Sequence, residues 1–569
     1  MTRRTRRRGA GRHDAGRLEP RGVQLLNDPL HNKSTAFDRA EREALGLEGL
    51  LPDVVTTMEQ QARRAYGNIA RKTDDLEKYI GLAALQDRNE HLFYRVLIDH
   101  LEELLPIVYT PTVGRACQEY SRIFRRPRGL WITPRHRGRI RDVLGNAPSH
   151  EVRLVVVTDG ERILGVGDQG AGGMGIPVGK LALYTAAAGV APFQTLPVCL
   201  DVGTDNAALL EDELYVGYPH PRLRGEPYDG LVQEFVEAVR QRFPRALLQW
   251  EDFKQANAFR ILERYRSVLP SFNDDVQGTG AMVVAGFLAA ARATGTPLPR
   301  QRAVVLGAGA AGVGIARMLR AAFARGGLAG DDLVRAVAVV DLAGVVLDEG
   351  EATLEFRRSV AWPPALAEAA GVGAGRPKDL QSLLSALRPT VLIGATGVPG
   401  AFSEAAVREM AAHAPRPLIL PLSNPTSHCE ARPSDLLAWT EGRALVATGS
   451  PFAPLNFGGR TLRIGQANNA FVFPGVGLGA LVSEAGQVTD GMFLAAAERL
   501  AAEVQRGDPE RDGLFPPISE LRRVTARVAE AVVREAREAG VGLSIPDERI
   551  APAVAASMWE PAYPAGEPG

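Results

Sequence analysis

Cysteine is scarce, with only Cys117, Cys199 and Cys429 among 569 residues, odd in number and far apart. With no CxxC and no paired Cys/His spacing, neither a disulfide framework nor a zinc site is suggested, and a reducing compartment, the cytoplasm, is expected. Net charge is lacking too. Lys+Arg and Asp+Glu each total 66, so no global field favours nucleic acid or membrane as a partner. Long apolar runs are missing as well. The longest, Ala281 to Ala291, stops at Arg292, is too short to span a bilayer, and reads as a buried helix. The first residues, MTRRTRRRGAGRHDAGR, are Arg-rich and lack the apolar core of a secretory signal, so 1–20 are expected to form a disordered basic tail.

What is present describes an ordinary globular protein: 45% apolar, 23% charged, with 60 Gly. The chain is too long for one core, so two to four domains are expected. Arg21 to Phe37 is polar and loop-like, and Asp38 to Leu47 has helical spacing. From Glu59 to Leu105 apolar residues recur every three or four positions, which predicts amphipathic helices without strands. Pro106 is expected to end them, with Ile107 to Gly114 as a loop. Tyr109 in that loop reads, on the residues alone, as packing. Val152 to Val157 predicts a strand, turned by Thr158-Asp159-Gly160 into a second at Arg162 to Val166.

Two glycine loops compete for a dinucleotide. Gly170, Gly172 and Gly175 form a GxGxxG, followed by a helix from Pro177 to Ala188 and a strand from Leu196 to Leu200. Lys180 sits near that helix start, so this copy reads as a glycine-rich substrate wall. The copy at Gly307, Gly309 and Gly312 is better formed. It joins the strand Ala303–Leu306 to the helix Ala310–Ala324, and a later strand, Ala336–Val340, ends at Asp341. The glycines would let backbone approach a pyrophosphate at the helix N-terminus, and Asp341 would accept ribose hydroxyls. The interval to Asp341 is long, and Gly326 to Asp332 is expected to be a loop. Further strands at Thr390–Ile393, Leu418–Leu422 and Ala444–Ala447 complete a Rossmann-type sheet, each ending in a small or polar turn. Asn468 and Asn469 either orient a carboxylate or cap the helix that follows. Residues 489–505 and 518–539 are helical by period, and the Pro-rich end from Pro561 is expected to be loose.

Two acidic pairs lie upstream of the second glycine loop: Glu251-Asp252 and Asp274-Asp275, several beside apolar neighbours. Carboxylates about 4 Å apart repel by roughly 4 kcal/mol at an effective dielectric near 20, so clustering asks for a cation or a shared proton. All-oxygen ligands suit Mg²⁺ or Mn²⁺. Such a metal would polarise the C2–O bond of a 2-hydroxy acid. Lys180, its pKa lowered by desolvation or a nearby cation, would remove the hydroxyl proton, and Arg162 would clamp a carboxylate. These residues predict a metal-assisted, nicotinamide-dependent enzyme acting on a small hydroxy acid.

The same residues lie in longer motifs: Arg88-Asn89-Glu90 with Leu92-Phe93-Tyr94-Arg95, the Tyr109 loop, Thr158 to Gly165, Gly173 to Lys180, Asp201 to Asn206, Glu251-Asp252-Phe253, Phe272 to Thr279, and Leu422-Ser423-Asn424-Pro425-Thr426. From about Arg21 to Ala536 the chain resembles the malic enzymes. That resemblance implies an α/β multidomain protein: a helical N-terminal domain (21–127), an α/β catalytic domain for malate and metal (128–273, with 470–536 packing back on it), a Rossmann-type NAD(P)-binding domain (274–469) and a C-terminal tail (537–569). It implies oxidative decarboxylation of L-malate to pyruvate and CO₂, with NAD, or NADP as the alternative, and Mn²⁺ or Mg²⁺. Glu251, Asp252 and Asp275 would be the metal ligands, Lys180 the base assisted by Asp274, and Tyr109 the acid at the enolpyruvate carbon. Arg162, Asn424, Asn468 and Asn469 would hold malate. Arg162, Asp275 and Asn424 would also border the cofactor held by Gly307, Gly309, Gly312 and Asp341. Arg357 and Arg358 fall near a position linked to cofactor choice, where an Arg would meet the 2′-phosphate of NADP. A homodimer or homotetramer is expected, and the malolactic reaction, malate to lactate with retained NAD, is the alternative activity.

Overall fold

The computed structural model describes residues 20–373, 375–376, 378–504 and 513–563, so the basic tail lies outside it apart from Pro20. The chain divides into two compact units, Met1–Asp99 with Pro561–Gly569, and His100–Glu560.

The smaller unit is helical. The region expected to be amphipathic forms Met58–Ala70, Asp75–Gln86 and Glu90–Asp99, and the first two begin at side-chain caps, Thr57 and Asp74. Leu25, Phe37 and Leu47 form a small core of their own, and the buried guanidinium of Arg42 donates to the carbonyls of Phe37 and Pro52 around it. The stretch read as a loop from Arg21 to Phe37 contains a helical turn at Gly22–Leu26. Of the chain end read as loose, Tyr563 is tied down within this unit, its hydroxyl donating to Gln61 Oε1 at 2.6 Å and accepting from Asn89 Nδ2 at 2.9 Å, and 564–569 lie outside the described residues.

The larger unit carries two parallel sheets. The first contains β1 (Leu130–Ile132), β2 (Leu154–Thr158), β3 (Thr195–Leu200), β4 (Leu247–Trp250) and β5 (Ser271–Asn273), ordered β1-β3-β2-β4-β5. The central strand β2 is a near-continuous Leu/Val run, buried along its whole length, as a parallel strand covered on both faces should be. The second contains β6 (Ala303–Leu306), β7 (Val337–Asp341), β8 (Gly344–Val345), β9 (Val391–Gly394), β10 (Leu418–Pro421) and β11 (Leu445–Thr448), with a hairpin, β12 (Leu455–Phe457) and β13 (Arg460–Leu462), beside it. With β14 (Gly465–Gln466) its order is β14-β11-β10-β9-β6-β7-β8, and only β8 runs antiparallel. Strands β9 and β7 flank β6 on opposite sides, which makes the β6/β9 edge the switch point where such sheets bind ligands.

The apolar run is a buried core helix, Thr279–Thr294. A Cβ on Gly280 would stand 2.8 Å from the Gly314 carbonyl, so the two glycines let this helix press against Ala310–Arg325 of the second sheet. Phe473–Val482 and Leu521–Glu538 return to the first sheet's helix Gly175–Ala188. There Phe473 meets Tyr184 edge-on at 5.1 Å, and Arg522 donates to the Ala186 carbonyl at 2.8 Å.

Four expectations are corrected. Arg162–Val166 is not a strand: Gly160, Gly165 and Gly167 all take positive φ, leaving only a bridge between Ile163 and Gly167. Pro106 does not end its helix but sits inside Leu101–Val108, close enough to the C-terminal end to cost it one bond, and a new helix, Thr112–Gln118, starts within the expected loop. The predicted loop Gly326–Asp332 runs into a helix, Gly330–Arg335. The chain after residue 537 is not all tail, since Asp547–Ser557 is helical and buries Ile550 and Val554.

Candidate active site

The two acidic pairs are brought together by strand register. Glu251 and Asp252 follow β4, Asp274 and Asp275 follow β5, and Trp250 pairs directly with Asn273. Both pairs therefore emerge at the carboxyl edge of one sheet. Glu251, Asp252 and Asp275 each place an oxygen within 4.8 Å of the others. Asp252 takes φ +58, a left-handed conformation that costs a non-glycine residue about 1–2 kcal/mol. Its backbone N–H donates to Asp275 Oδ2 at 2.8 Å, and its carbonyl accepts from the Arg162 N–H at 3.1 Å. After β5 the chain makes one π-helical turn, Asp274–Gly278, a local irregularity common at functional sites. Gly278 is required there, because a Cβ would lie 1.7 Å from Asp274 Oδ1.

This cluster fits a hard divalent cation. Glu251, Asp252 and Asp274 are at most 3% exposed. Burial pushes the Glu251 and Asp252 carboxyls well up, and their mutual repulsion and that of Asp275 push further; Lys180 opposes this. Burial likewise lifts Asp275 to about 6. Asp252 Oδ1 and Asp274 Oδ1 are buried without a hydrogen-bond partner. Orphaned carboxylate oxygens are costly unless something positive meets them.

Lys180 supplies part of that charge. It lies on Gly175–Ala188, 1% exposed, with Nζ in contact with Asp274 Oδ2 and 2.9 Å from Glu251 Oε1. Burial alone would depress its pKa, but the two carboxylates outweigh it and hold the ammonium form. The carboxylates thus oppose the lowering that desolvation alone would give. Nζ also stands 4.2 Å from the Phe473 ring centre and 5.3 Å from that of Tyr109. Burial keeps the Tyr109 phenol protonated far above its usual range. The approach is permitted by Gly179, where a Cβ would be 2.7 Å from the Val108 carbonyl. The rival glycine loop is likewise packing: a Cβ on Gly172 would be 2.6 Å from the Cys117 carbonyl, and one on Gly175 2.8 Å from Cys117 Sγ.

The paired amides divide their roles. Asn469 Nδ2 donates to Asp274 Oδ2 at 3.1 Å, whereas Asn468 Oδ1 caps the Ala470 N–H at 2.9 Å. Arg162 is exposed at the rim of the acidic cluster. Its loop abuts that of Asn424: a Cβ on Gly165 would be 3.1 Å from Pro425 Cδ and 3.6 Å from the Asn424 carbonyl. Asn424 Oδ1 in turn accepts from the Ser450 hydroxyl.

The second sheet offers a dinucleotide cradle. Gly307 takes φ +116, and a Cβ there would be 2.4 Å from the Ala395 carbonyl; one on Gly312 would be 1.8 Å from the Gly307 carbonyl. Gly309 caps the start of the helix Ala310–Arg325, and the first-turn N–H groups of a helix are donors of the kind that bind phosphate. Asp341 ends β7, and Arg357 is paired to it, Nη1 to Oδ2 at 2.9 Å, while Arg358 is exposed and donates to the Gly350 carbonyl.

Some contributing residues carry no signal in sequence. Gln249 Nε2 donates to Glu251 Oε2 at 2.8 Å, and Gln249 Oε1 accepts from the Tyr184 hydroxyl. Arg222 clamps both ends of the Arg162 loop, donating to the Asp159 carbonyl at 2.9 Å and to both Asp168 oxygens at 2.6 Å.

Residues 86–266 match the family model described as malic enzyme, N-terminal domain, and residues 276–537 that described as malic enzyme, NAD binding domain. A protein of Sodalis glossinidius (strain morsitans) named NAD-dependent malic enzyme is 48% identical over 542 residues, covering 95% of this chain and 96% of its own. One of the same name from Pseudomonas aeruginosa (strain UCBPP-PA14) is 47% identical over 545 residues, with the same coverage of each chain, 95% and 96%. Among solved structures, the malic enzyme of Pyrococcus horikoshii Ot3 is 26% identical, with TM-score 0.52 over 80% of this chain and 89% of that one. That of Entamoeba histolytica, 21% identical, shares the fold with TM-score 0.56 over 90% and 91%.

Proposed function

Because this chain belongs to the malic enzyme family, we propose that it oxidises L-malate with NAD and releases pyruvate and CO₂, with Mn²⁺ or Mg²⁺ held by Glu251, Asp252 and Asp275. The observation that carries this reading is the buried ammonium of Lys180, in contact with Asp274 and Glu251 beside a carboxylate trio with an orphaned oxygen.

When bound, the cation would polarise the C2–O bond and steady the charge left by CO₂, and NAD would take the hydrogen and electron pair from C2. The chain's own residues manage the protons. Lys180 accepts a proton only after giving one up, and Asp274 Oδ2 is the acceptor in contact with Nζ. The neutral amine then takes the C2 hydroxyl proton. Tyr109, kept as a phenol by burial, donates its proton to C3 once the carbon–carboxylate bond breaks. One proton leaves oxygen and one arrives at carbon, so the site ends in balance once Lys180 reprotonates Tyr109 and Asp274 returns the proton it holds to Nζ. Arg162 clamps a malate carboxylate, with Asn424, Asn468 and Asn469 around it. Asn469, which touches Asp274, orients the relay.

NAD is favoured over NADP by the Asp341–Arg357 pair. The Asp341 carboxylate repels a 2′-phosphate and occupies the arginine that would bind one. The names of the relatives favour the oxidative reaction over the malolactic one. The free, buried cysteines suit the cytoplasm, and a homodimer or homotetramer is the assembly proposed. The test is absorbance at the reduced-nicotinamide band with L-malate and Mn²⁺, run in parallel with NAD and NADP. A faster rise with NAD is expected. Malate loss with lactate formation and no rise would move the protein to the malolactic reaction.

A further inference from the structure

Glu430 takes no part in the chemistry above, yet it is completely buried, 0% exposed. A carboxylate in such a place must be matched by donors. Its partners come from two loops. Glu430 Oε1 accepts from the Thr396 N–H at 2.9 Å, the Thr396 hydroxyl at 2.9 Å and the Ser423 hydroxyl at 2.5 Å, and Oε2 accepts from the Ser423 N–H at 3.3 Å. The Ser423 hydroxyl also accepts from the Gly397 N–H at 2.8 Å. All of these partners are neutral, so the carboxylate acts as an acceptor-only knot. Strand β9 is shaped around it: a Cβ on Gly394 would lie 2.5 Å from the Glu430 carboxyl carbon.

The position of the two loops gives the knot a purpose. They follow β9 and β10, on the side of β6 away from β7. Asp341 ends β7 and marks the adenosine side of the cradle. The nicotinamide half of a dinucleotide crossing the β6/β9 switch point therefore falls toward residues 394–397 and 422–425. The second of these loops carries Asn424 and is fastened through it to Ser450 beyond β11.

We infer that Glu430 is a positioning residue for the nicotinamide half of the cofactor, its carboxylate locking the loops after β9 and β10 into one rigid wall. This rests on the dinucleotide reading above, but not on malate turnover. The adenosine half depends instead on Gly307, Gly309, Gly312 and Asp341.

The experiment compares NADH with ADP-ribose, which lacks the nicotinamide, by calorimetric titration of the full-length protein. In Glu430→Gln an amide N–H₂ faces donors in place of an acceptor oxygen. NADH binding is expected to weaken by about tenfold, while ADP-ribose changes by less than about twofold. Equal weakening of both ligands would reduce Glu430 to general support of the domain, and unchanged NADH binding would remove it from the site; either result overturns the inference. Should Glu430→Gln fail to fold, Ser423→Ala deletes one hydroxyl of the same knot and is expected to lose about threefold for NADH alone. Equal or absent loss there overturns the inference in the same way. A native protein that binds neither ligand would instead overturn the dinucleotide reading, whatever the variants do.

Discussion

Replacing Lys180 by Met tests the electrostatic logic of the site more sharply than any other single change. The side chain stays unbranched and one heavy atom shorter, and loses its charge among carboxylates that are almost completely enclosed. At 2.9 Å from Glu251, and an effective dielectric near 20, the attraction removed is about 6 kcal/mol. The net cost is smaller, because the carboxylates regain part of it by taking up protons. Breaking a buried pair by deleting one partner typically costs about 3–5 kcal/mol. A unit of several hundred residues shifts its melting temperature by roughly 1 °C per kcal/mol, so metal-free Lys180→Met should melt about 3–5 °C below the native protein.

Mn²⁺ should reverse the effect selectively. In the native site the incoming cation meets an ammonium 2.9 Å from one of its ligands; in the variant that repulsion is gone. The Mn²⁺-induced rise in melting temperature is therefore expected to be larger for Lys180→Met than for the native protein, although turnover with malate and NAD falls by about 10²–10⁴. Differential scanning fluorimetry with and without Mn²⁺, alongside NADH production, reads both. An equal deficit with and without Mn²⁺ would show that Lys180 does not share a charge cluster with the metal site. Retained turnover would remove it from the proton path.

Three other perturbations probe separate features. Asp275→Ala deletes a proposed ligand and the acceptor of the Asp252 N–H, so half-saturation with Mn²⁺ should rise by at least about a hundredfold, and an unchanged titration would end its role as a ligand. Asp159, buried with its carboxyl accepting from the Tyr228 hydroxyl at 2.7 Å, has its pKa lifted to about 6 by burial, against the opposing pull of Arg222. A raised carboxyl favours the fold below its unfolded pKa near 4 and loses that contribution, about 3 kcal/mol, as pH climbs through 6. Asp159→Asn should therefore flatten the fall in melting temperature between about pH 4 and about 6.5, and an identical slope in both proteins would refute the assignment. Asp341→Ala frees Arg357 and removes the charge that repels a 2′-phosphate, so the NADP-to-NAD ratio of kcat/KM should rise by about tenfold or more. No change in that ratio would mean the pair does not read the ribose.

The parts of this molecule legible in sequence are those whose chemistry is local. A strand, three glycines and a helix lie within about twenty residues, so the cradle at Gly307, Gly309 and Gly312 is readable before any coordinates. The acidic pairs are readable as types, but their convergence depends on β4 and β5 being neighbours with Trp250 opposite Asn273, a fact of register that no spacing encodes. Arg162–Val166 misleads because Ile163, Leu164 and Val166 make a short apolar run after a turn signal, while Gly160, Gly165 and Gly167 break extension. Gln249, Arg222 and Glu430 are invisible because each joins segments remote in sequence. The sign of the Lys180 shift belongs to the same class. Desolvation and carboxylate contact push its pKa in opposite directions, and only the contacts with Asp274 and Glu251 decide between them. Under the proposed mechanism that decision changes the chemistry: a lysine that began neutral would need no partner, whereas one held as the ammonium would first pass a proton to the carboxylate it touches, Asp274. On that proposal the aspartate next to the proposed metal ligands is as necessary to the base as the amine itself.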